Sequence, residues 1–288
     1  MGLFMMAATA ACSQPINTPP SPTGTAFISQ TENVQTPSSN LKWITSESST
    51  SPDSSWVAET AYILGEATTQ TRIVVTNTVG APVWRIEKQW ELDPGVIVGT
   101  RVLRWSRNGL YLYFTTLAHV GGCATLTNGS DLQRLELATG EVKEIAPLLG
   151  YPIGTWLALS PDDTILAYPK NSESNTIILR DLATGLQRSI DLDLSTDPNY
   201  RLGYLEWTPD GSFLALTVAI DPCIPTGEPW TATSVVLIDV ASLHSKFVVK
   251  QDSRLLVTEG WADNTHLLLK DQAGKNWIYN LEDDRLTP

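Results

Sequence analysis

Residues 205–218 read Leu-Glu-Trp-Thr-Pro-Asp-Gly-Ser-Phe-Leu-Ala-Leu-Thr-Val. An apolar strand ends at Trp207, a tight turn occupies Thr208-Pro209-Asp210-Gly211, and a second apolar strand starts at Phe213. The turn has a mechanism. Proline pre-sets its own φ, Asp bonds its own backbone, and Gly accepts φ > 0. The same phrase occurs as Ser160-Pro161-Asp162-Asp163 before Ile165-Leu166-Ala167-Tyr168, and as Trp105-Ser106-Arg107-Asn108-Gly109 before another apolar run. Weaker copies are Ser51-Pro52-Asp53-Ser54 before Trp56, and Trp261-Ala262-Asp263-Asn264 before Leu267-Leu268-Leu269. Successive copies lie 55, 54, 48 and 54 residues apart.

A second phrase follows the first. Leu135-Glu136-Leu137-Ala138-Thr139-Gly140 leads into Val142, Asp181-Leu182-Ala183-Thr184-Gly185 into Leu186, and Asp239-Val240-Ala241-Ser242 toward Phe247. These read as hairpins with small or Gly turns. Each unit thus offers four short strands, and a four-stranded unit repeating every 40–50 residues or so is the signature of a propeller blade. The expected fold is all-β, a β-propeller of about five four-stranded blades, with six blades or an incomplete ring as the alternative. The apolar runs do not alternate, as expected of strands covered on both faces. A β-sandwich with coincidental turns is the weaker competitor.

The Trp-Ser/Thr-Pro-Asp-Gly phrase, followed by an apolar strand and then Asp-Leu-x-Thr-Gly, resembles the TolB-type propeller repeat, a relative of the WD-repeat blade. The resemblance covers about residues 41–288. The copy at Ser51 lacks its Trp and Gly, and the copy at Ala262 lacks its Pro and Gly. No α/β domain of the kind TolB carries is read ahead of the repeats, so the resemblance does not imply TolB's translocation role.

Composition narrows the partners. Lys+Arg number 19 against 31 Asp+Glu, a net charge of −12. That balance is opposite to the basic footprint that nucleic acid or anionic lipid requires. Charged residues make up 17% and Trp numbers ten, consistent with much apolar contact between blades. No run of about eighteen apolar residues is present to span a bilayer.

Residues 1–12 form a short apolar stretch with small residues before Cys12. The stretch resembles the end of a bacterial lipoprotein signal, which implies lipid attachment at Cys12 and an extracytoplasmic, envelope location; a secreted protein is the alternative. No Lys or Arg precedes the stretch, and a disordered N-terminus with an incidental Cys is the competing reading. Residues 13–40 are rich in Ser, Thr and Pro and are expected to be a disordered linker to a propeller spanning 41–288. Within the linker, residues 26–29 are the apolar piece expected to close the ring by joining the last blade.

Blades two and four carry insertions at equivalent places, residues 119–130 and 220–233, each with one cysteine, Cys123 and Cys223. Equivalent loops share a face, so a disulfide between them is open in an oxidising compartment. It would close about 100 residues, worth about 4–5 kcal/mol in the chain-entropy model. Two free thiols are the alternative.

A search for chemistry returns no constellation. The turn carboxylates Asp53, Asp162, Asp210 and Asp263 recur because the turn needs them. His119, His244 and His266 have no ligand spacing. Asp191, Asp193 and Asp197 read as a solvated edge before a metal site. No nucleophile elbow, phosphate loop or calcium loop occurs, so neither catalytic residues, a metal nor a cofactor is expected. The candidate binding face carries Tyr151, Tyr200, Tyr204, Asp221, Glu228 and Trp230, aromatics beside polar groups. The expectation is therefore a non-catalytic module holding a protein, peptide or glycan on its loop-bearing face. The first alternative is a glycoside hydrolase-type propeller with carboxylates at the central channel; the second is a purely structural envelope protein.

Overall fold

Why the repeated phrase turns the chain is visible in its hydrogen bonds, in a computed structural model that describes residues 26–30, 42–64, 68–80, 82–91, 96–120, 126–147, 155–171, 174–194, 200–220 and 230–288. In blade three the Ser160 hydroxyl donates to Asp162 Oδ1 at 2.6 Å and accepts the Ile165 N–H at 2.9 Å. The Ser51 and Ser106 turns repeat both bonds, with Asp53 and Asn108 as acceptors. Thr208 receives the Phe213 N–H in the fourth. The residue closing each of these four turns has positive φ: Ser54, Gly109, Asp163 and Gly211. These bonds hold the Asp53 carboxyl below its usual range, with Ser51 as the leading cause. The turn carboxylates are thus structural.

The strands between these turns build five antiparallel sheets. Blade one contains β1 (Ala26–Gln30), β2 (Ile44–Thr50), β3 (Trp56–Leu64), β4 (Thr68–Asn77) and β5 (Pro82–Glu91). Blade two contains β6 (Val96–Trp105), β7 (Tyr111–Val120), β8 (Leu132–Glu136) and β9 (Val142–Ala146). Blade three is β10 (Ala158–Leu159), β11 (Ile165–Pro169), β12 (Thr176–Asp181) and β13 (Gln187–Asp191). Blade four is β14 (Tyr200–Trp207), β15 (Phe213–Ile220), β16 (Ala232–Asp239) and β17 (Ser245–Asp252). Blade five is β18 (Val257–Trp261), β19 (His266–Lys270), β20 (Asn276–Asn280) and β21 (Arg285–Thr287). Strands pair in chain order, apart from β1. The fold is the five-bladed β-propeller expected from the repeat. β1 differs in placement. It pairs antiparallel with β5, Ile28 opposite Ile86, at the outer edge of blade one rather than in the last blade. Pairing there covers the backbone groups of the otherwise open β5 edge of blade one.

Apolar clusters lie between successive blades. Phe114 and Leu112 of blade two pack on Ile73 and Trp84 of blade one. Leu166 and Tyr168 of blade three meet Tyr113 and Leu132 of blade two. Leu214, Leu216 and Ile238 of blade four face Ile177 and Leu179 of blade three. Leu267 and Leu269 of blade five face Ala215 and Val235 of blade four. Each such Leu or Ile removed from water contributes about 1.5–3 kcal/mol. Strands β15 and β16 are buried nearly throughout, as expected for sheets covered on both faces. Strands β4 and β19 instead alternate buried and half-buried positions, the pattern of a sheet with one covered face. Consistent with this, none of these clusters joins blade five to blade one among the described residues.

Two indole N–H bonds fasten neighbouring inner strands. Trp207 Nε1 donates to the Ala158 carbonyl at 3.1 Å, and Trp261 Nε1 to the Glu206 carbonyl at 3.0 Å. Trp207 and Trp261 are therefore interblade pegs, whereas the Trp105 indole N–H is buried without a protein partner among the described residues.

Candidate functional site

The first strands of the blades, β2, β6, β10, β14 and β18, line the central channel. Four of them break register, between Thr45 and Glu47, Val102 and Arg104, Gly203 and Glu206, and Thr258 and Gly260, the last three at the same distance from their turns. A bulge re-aims the side chains around it and is common beside functional sites. In β14 the bulge is sharp, because Tyr204 has φ 50. An aromatic residue in the left-handed region carries strain that its surroundings must hold. The Tyr204 carbonyl accepts the Thr258 hydroxyl of blade five, and its ring lies 4.4 Å from that of Trp156, centroid to centroid, tilted by 33°. Trp230 closes the cluster edge-on at 6.2 Å.

The β6 and β14 bulges, with residues 156–159 of blade three, line a cavity of about 310 Å³, whose walls include Arg101, Arg104, Asn128, Trp156 and Glu206. Glu206 stands between Leu205 and Trp207, both buried. Its carboxyl is half-buried in the channel wall and pushed up to about 7, first by desolvation and second by the Glu259 carboxylate of blade five. Removing an anion from water is costly, and a like charge nearby adds to the cost, so the proton stays on. Glu259 is ion-paired to Lys270 at 2.9 Å. The Tyr204 phenol is also pushed up, by burial and then by Glu259.

Across the cavity, Arg104 is fixed by the Ser160 carbonyl at 2.6 Å and by the Asp163 carboxylate. Its Nε is buried and has no protein partner among the described residues. Arg101 pairs through Nε with Glu47 at 3.0 Å. Asn128 is committed to structure, bonding the backbone of Leu157 in both directions. The site therefore combines a proton-bearing carboxyl, two guanidinium groups and an aromatic wall. That set can donate a proton to a ligand oxygen, bind a negative group and stack against a ring.

Of the residues expected on the binding face, Tyr204 and Trp230 come together here. Tyr200 instead packs against the apolar cluster between blades three and four. Tyr151, Asp221 and Glu228 lie outside the described residues, as do Cys12, Cys123, Cys223 and Asp197. Asp191 accepts the Thr176 hydroxyl at 2.7 Å, and no group of three or more metal-ligating side chains gathers among the described residues. Glu206, Arg101, Arg104 and Trp156 were not singled out by sequence. The signal was present for two of them: Arg104 and Glu206 each stand two residues before the turn hydroxyl, as a lone charge beside apolar neighbours.

No protein-family model matches the sequence, and no curated protein matches it. Solved structures do. The acylaminoacyl peptidase of Pyrococcus horikoshii is 12% identical, covers 85% of this chain and 39% of its own, and gives a TM-score of 0.52. An oligogalacturonate lyase in complex with manganese is 15% identical over 86% of this chain and 59% of that one, with a TM-score of 0.48. TolB from Acinetobacter baumannii is 16% identical over 85% and 53%, with a TM-score of 0.45. The chain thus spans between about two-fifths and three-fifths of these structures. At such identity the likeness is one of fold. The expectation of a non-catalytic module is corrected by the site: its cavity holds a carboxyl pushed up to about 7, on a fold that the acylaminoacyl peptidase, an enzyme, shares.

Proposed function

We propose that this chain is a propeller enzyme of the glycoside hydrolase kind, with Glu206 as general acid at the central channel. The observation that carries the proposal is the Glu206 carboxyl, lifted to about 7 within a cavity. A carboxylic acid that keeps its proton near neutrality is what protonation of a glycosidic oxygen requires. Glu206 gives its proton to that oxygen as the bond to the anomeric carbon breaks. Water adds to the carbon, and the Glu259 carboxylate takes the water's proton and returns it to Glu206. Trp156, backed by Tyr204, offers a flat apolar face for a sugar ring. Removing a general acid costs about 10²–10⁴ in rate, so Glu206→Gln should lose that much of any activity on oligosaccharides, whose sugar leaving group needs the proton, while still binding the sugar. Wild-type activity should fall as pH rises through about 7. Glu206→Gln turning over oligosaccharides at the wild-type rate refutes the assignment.

The same reading places the enzyme outside the cytoplasm, tethered by a lipid on Cys12, with Cys123 and Cys223 bonded across the two insertions. The small-residue approach to Cys12 and the matched insertions support it. Mass mapping of protein purified from envelope without reductant tests both features: an unmodified Cys12 removes the tether, and two free thiols remove the bridge.

A further inference from the structure

We infer that the channel cavity is selective for a carboxylated sugar, whose carboxylate is received by Arg104 and Arg101 while its ring lies against Trp156, which Tyr204 backs. The inference rests on the site assigned above and names its substrate class.

Arg104 and Arg101 line the cavity that Glu206 lines. Arg104 is the more deeply set of the two, its side chain 31% exposed against 41% for Arg101. Arg104 is held in place by Ser160 and Asp163, so little side-chain freedom is lost when it meets a ligand. One of its donors, Nε, is buried without a protein partner among the described residues. A buried, unpaired charged donor is costly to leave unmet, and an incoming acceptor removes that penalty. Arg101 spends Nε on Glu47 at 3.0 Å, which leaves its terminal nitrogens for a second contact. Guanidinium matches a planar carboxylate in a forked, charge-assisted pair.

The opposite wall excludes other anions. The Glu206 carboxyl, pushed up to about 7, keeps its proton in about half the molecules at neutral pH and can then donate a hydrogen bond to a ligand hydroxyl or ether oxygen. Asp163 and Glu47 already pair with Arg104 and Arg101, and with a chain net charge of −12 a doubly charged phosphate is disfavoured more than a singly charged carboxylate. The volume of about 310 Å³ is at the small end of ligand sites, which run from about 300 to 1,000 Å³. That suits one or two sugar rings. The aromatic wall supplies the stacking face, and the strained Tyr204 backbone fixes its angle.

The test is titration calorimetry of the full chain with glucuronate, glucose and glucose 6-phosphate at pH 7. Glucuronate should bind at least about tenfold tighter than glucose and tighter than the phosphate, with affinity falling as NaCl rises. Arg104→Gln should erase the preference for glucuronate and leave glucose binding in place. Should Arg104→Gln not fold, Arg101→Gln and the salt dependence of the wild type decide. Equal affinity for glucuronate and glucose, or tighter binding of the phosphate, overturns the inference, as does a preference that Arg104→Gln or Arg101→Gln leaves intact. The two proposals fail separately. A glucuronate preference without glycosidase activity removes the hydrolase reading alone, whereas turnover of neutral glycosides without that preference removes this one alone.

Discussion

Replacing Glu206 by Gln keeps the shape of the side chain and removes its titration, so the variant isolates what the buried carboxyl costs. The folded-state carboxyl sits at about 7 against an ordinary 4.5. A group whose folded pKa is raised holds a proton that the unfolded chain has already released. Stability therefore falls as pH rises from about 4.5 to about 7, and the loss is complete above 7. At 1.36 kcal/mol per pH unit the loss is on the order of 3 kcal/mol, an upper figure because the carboxyl retains some contact with water. Urea denaturation at pH 4.5 and at pH 8 reads this directly. Wild type and Glu206→Gln should be within about 1 kcal/mol at pH 4.5, whereas at pH 8 the variant should be more stable by about 3 kcal/mol. For a domain of this size that corresponds to about 6–12 °C in Tm. Glu259→Gln should recover a smaller part of the same gain, since Glu259 is the second cause of the shift and desolvation the first. Parallel stability curves for wild type and Glu206→Gln would refute the reasoning, because they would mean that the folded carboxyl titrates as it does in the unfolded chain.

Two further predictions concern the seam between blades one and two. Gly140 has φ 76, and a Cβ placed there would lie 2.2 Å from Trp84 Cζ3. Gly140→Ala should therefore destabilise by about 2–5 kcal/mol, from left-handed strain plus overpacking; urea unfolding checks it, and a loss below 1 kcal/mol contradicts the geometry. Lys88 is buried, donates to Gln133 Oε1 at 2.9 Å, and has its pKa lowered by desolvation against the opposing pull of Asp131 and Glu144. Because desolvation prevails, Lys88→Met should be neutral or stabilising at pH 7. Asp131→Asn leaves the ammonium without that offset and should cost about 3–5 kcal/mol. The reverse order in thermal melts would show that the pair is a net stabiliser.

How far the sequence could carry the argument depended on where information is local. The turn at Thr208 was legible because its chemistry lies within six residues: a hydroxyl, a proline, a carboxylate and a glycine, each with one job. Repetition of that turn gave the blade, and the blade gave the propeller. Tyr204 and Trp230 were legible as aromatics on loop-side positions. Their meeting with Trp156 was not, since that contact joins strands almost fifty residues apart through a bulge that leaves no composition signal. Glu206 was quoted within the deciding stretch and still passed over, because a single acid in a strand ordinarily faces water. Only packing reveals that its neighbours desolvate it and that Glu259, on the next blade, adds like charge. The strand at Ala26–Gln30 was legible as apolar, but its partner β5 is a tertiary choice set by the open edge of blade one rather than by residue pattern.

The central claim is that the Glu206 carboxyl titrates near neutrality inside the cavity, its pKa pushed up to about 7. The most direct measurement is the carbon-13 chemical shift of the glutamate side-chain carboxyls against pH, with Glu206→Gln assigning the signal. The account predicts one carboxyl titrating at about 7 that vanishes in the variant. A Glu206 signal already fully shifted by pH 5 contradicts it.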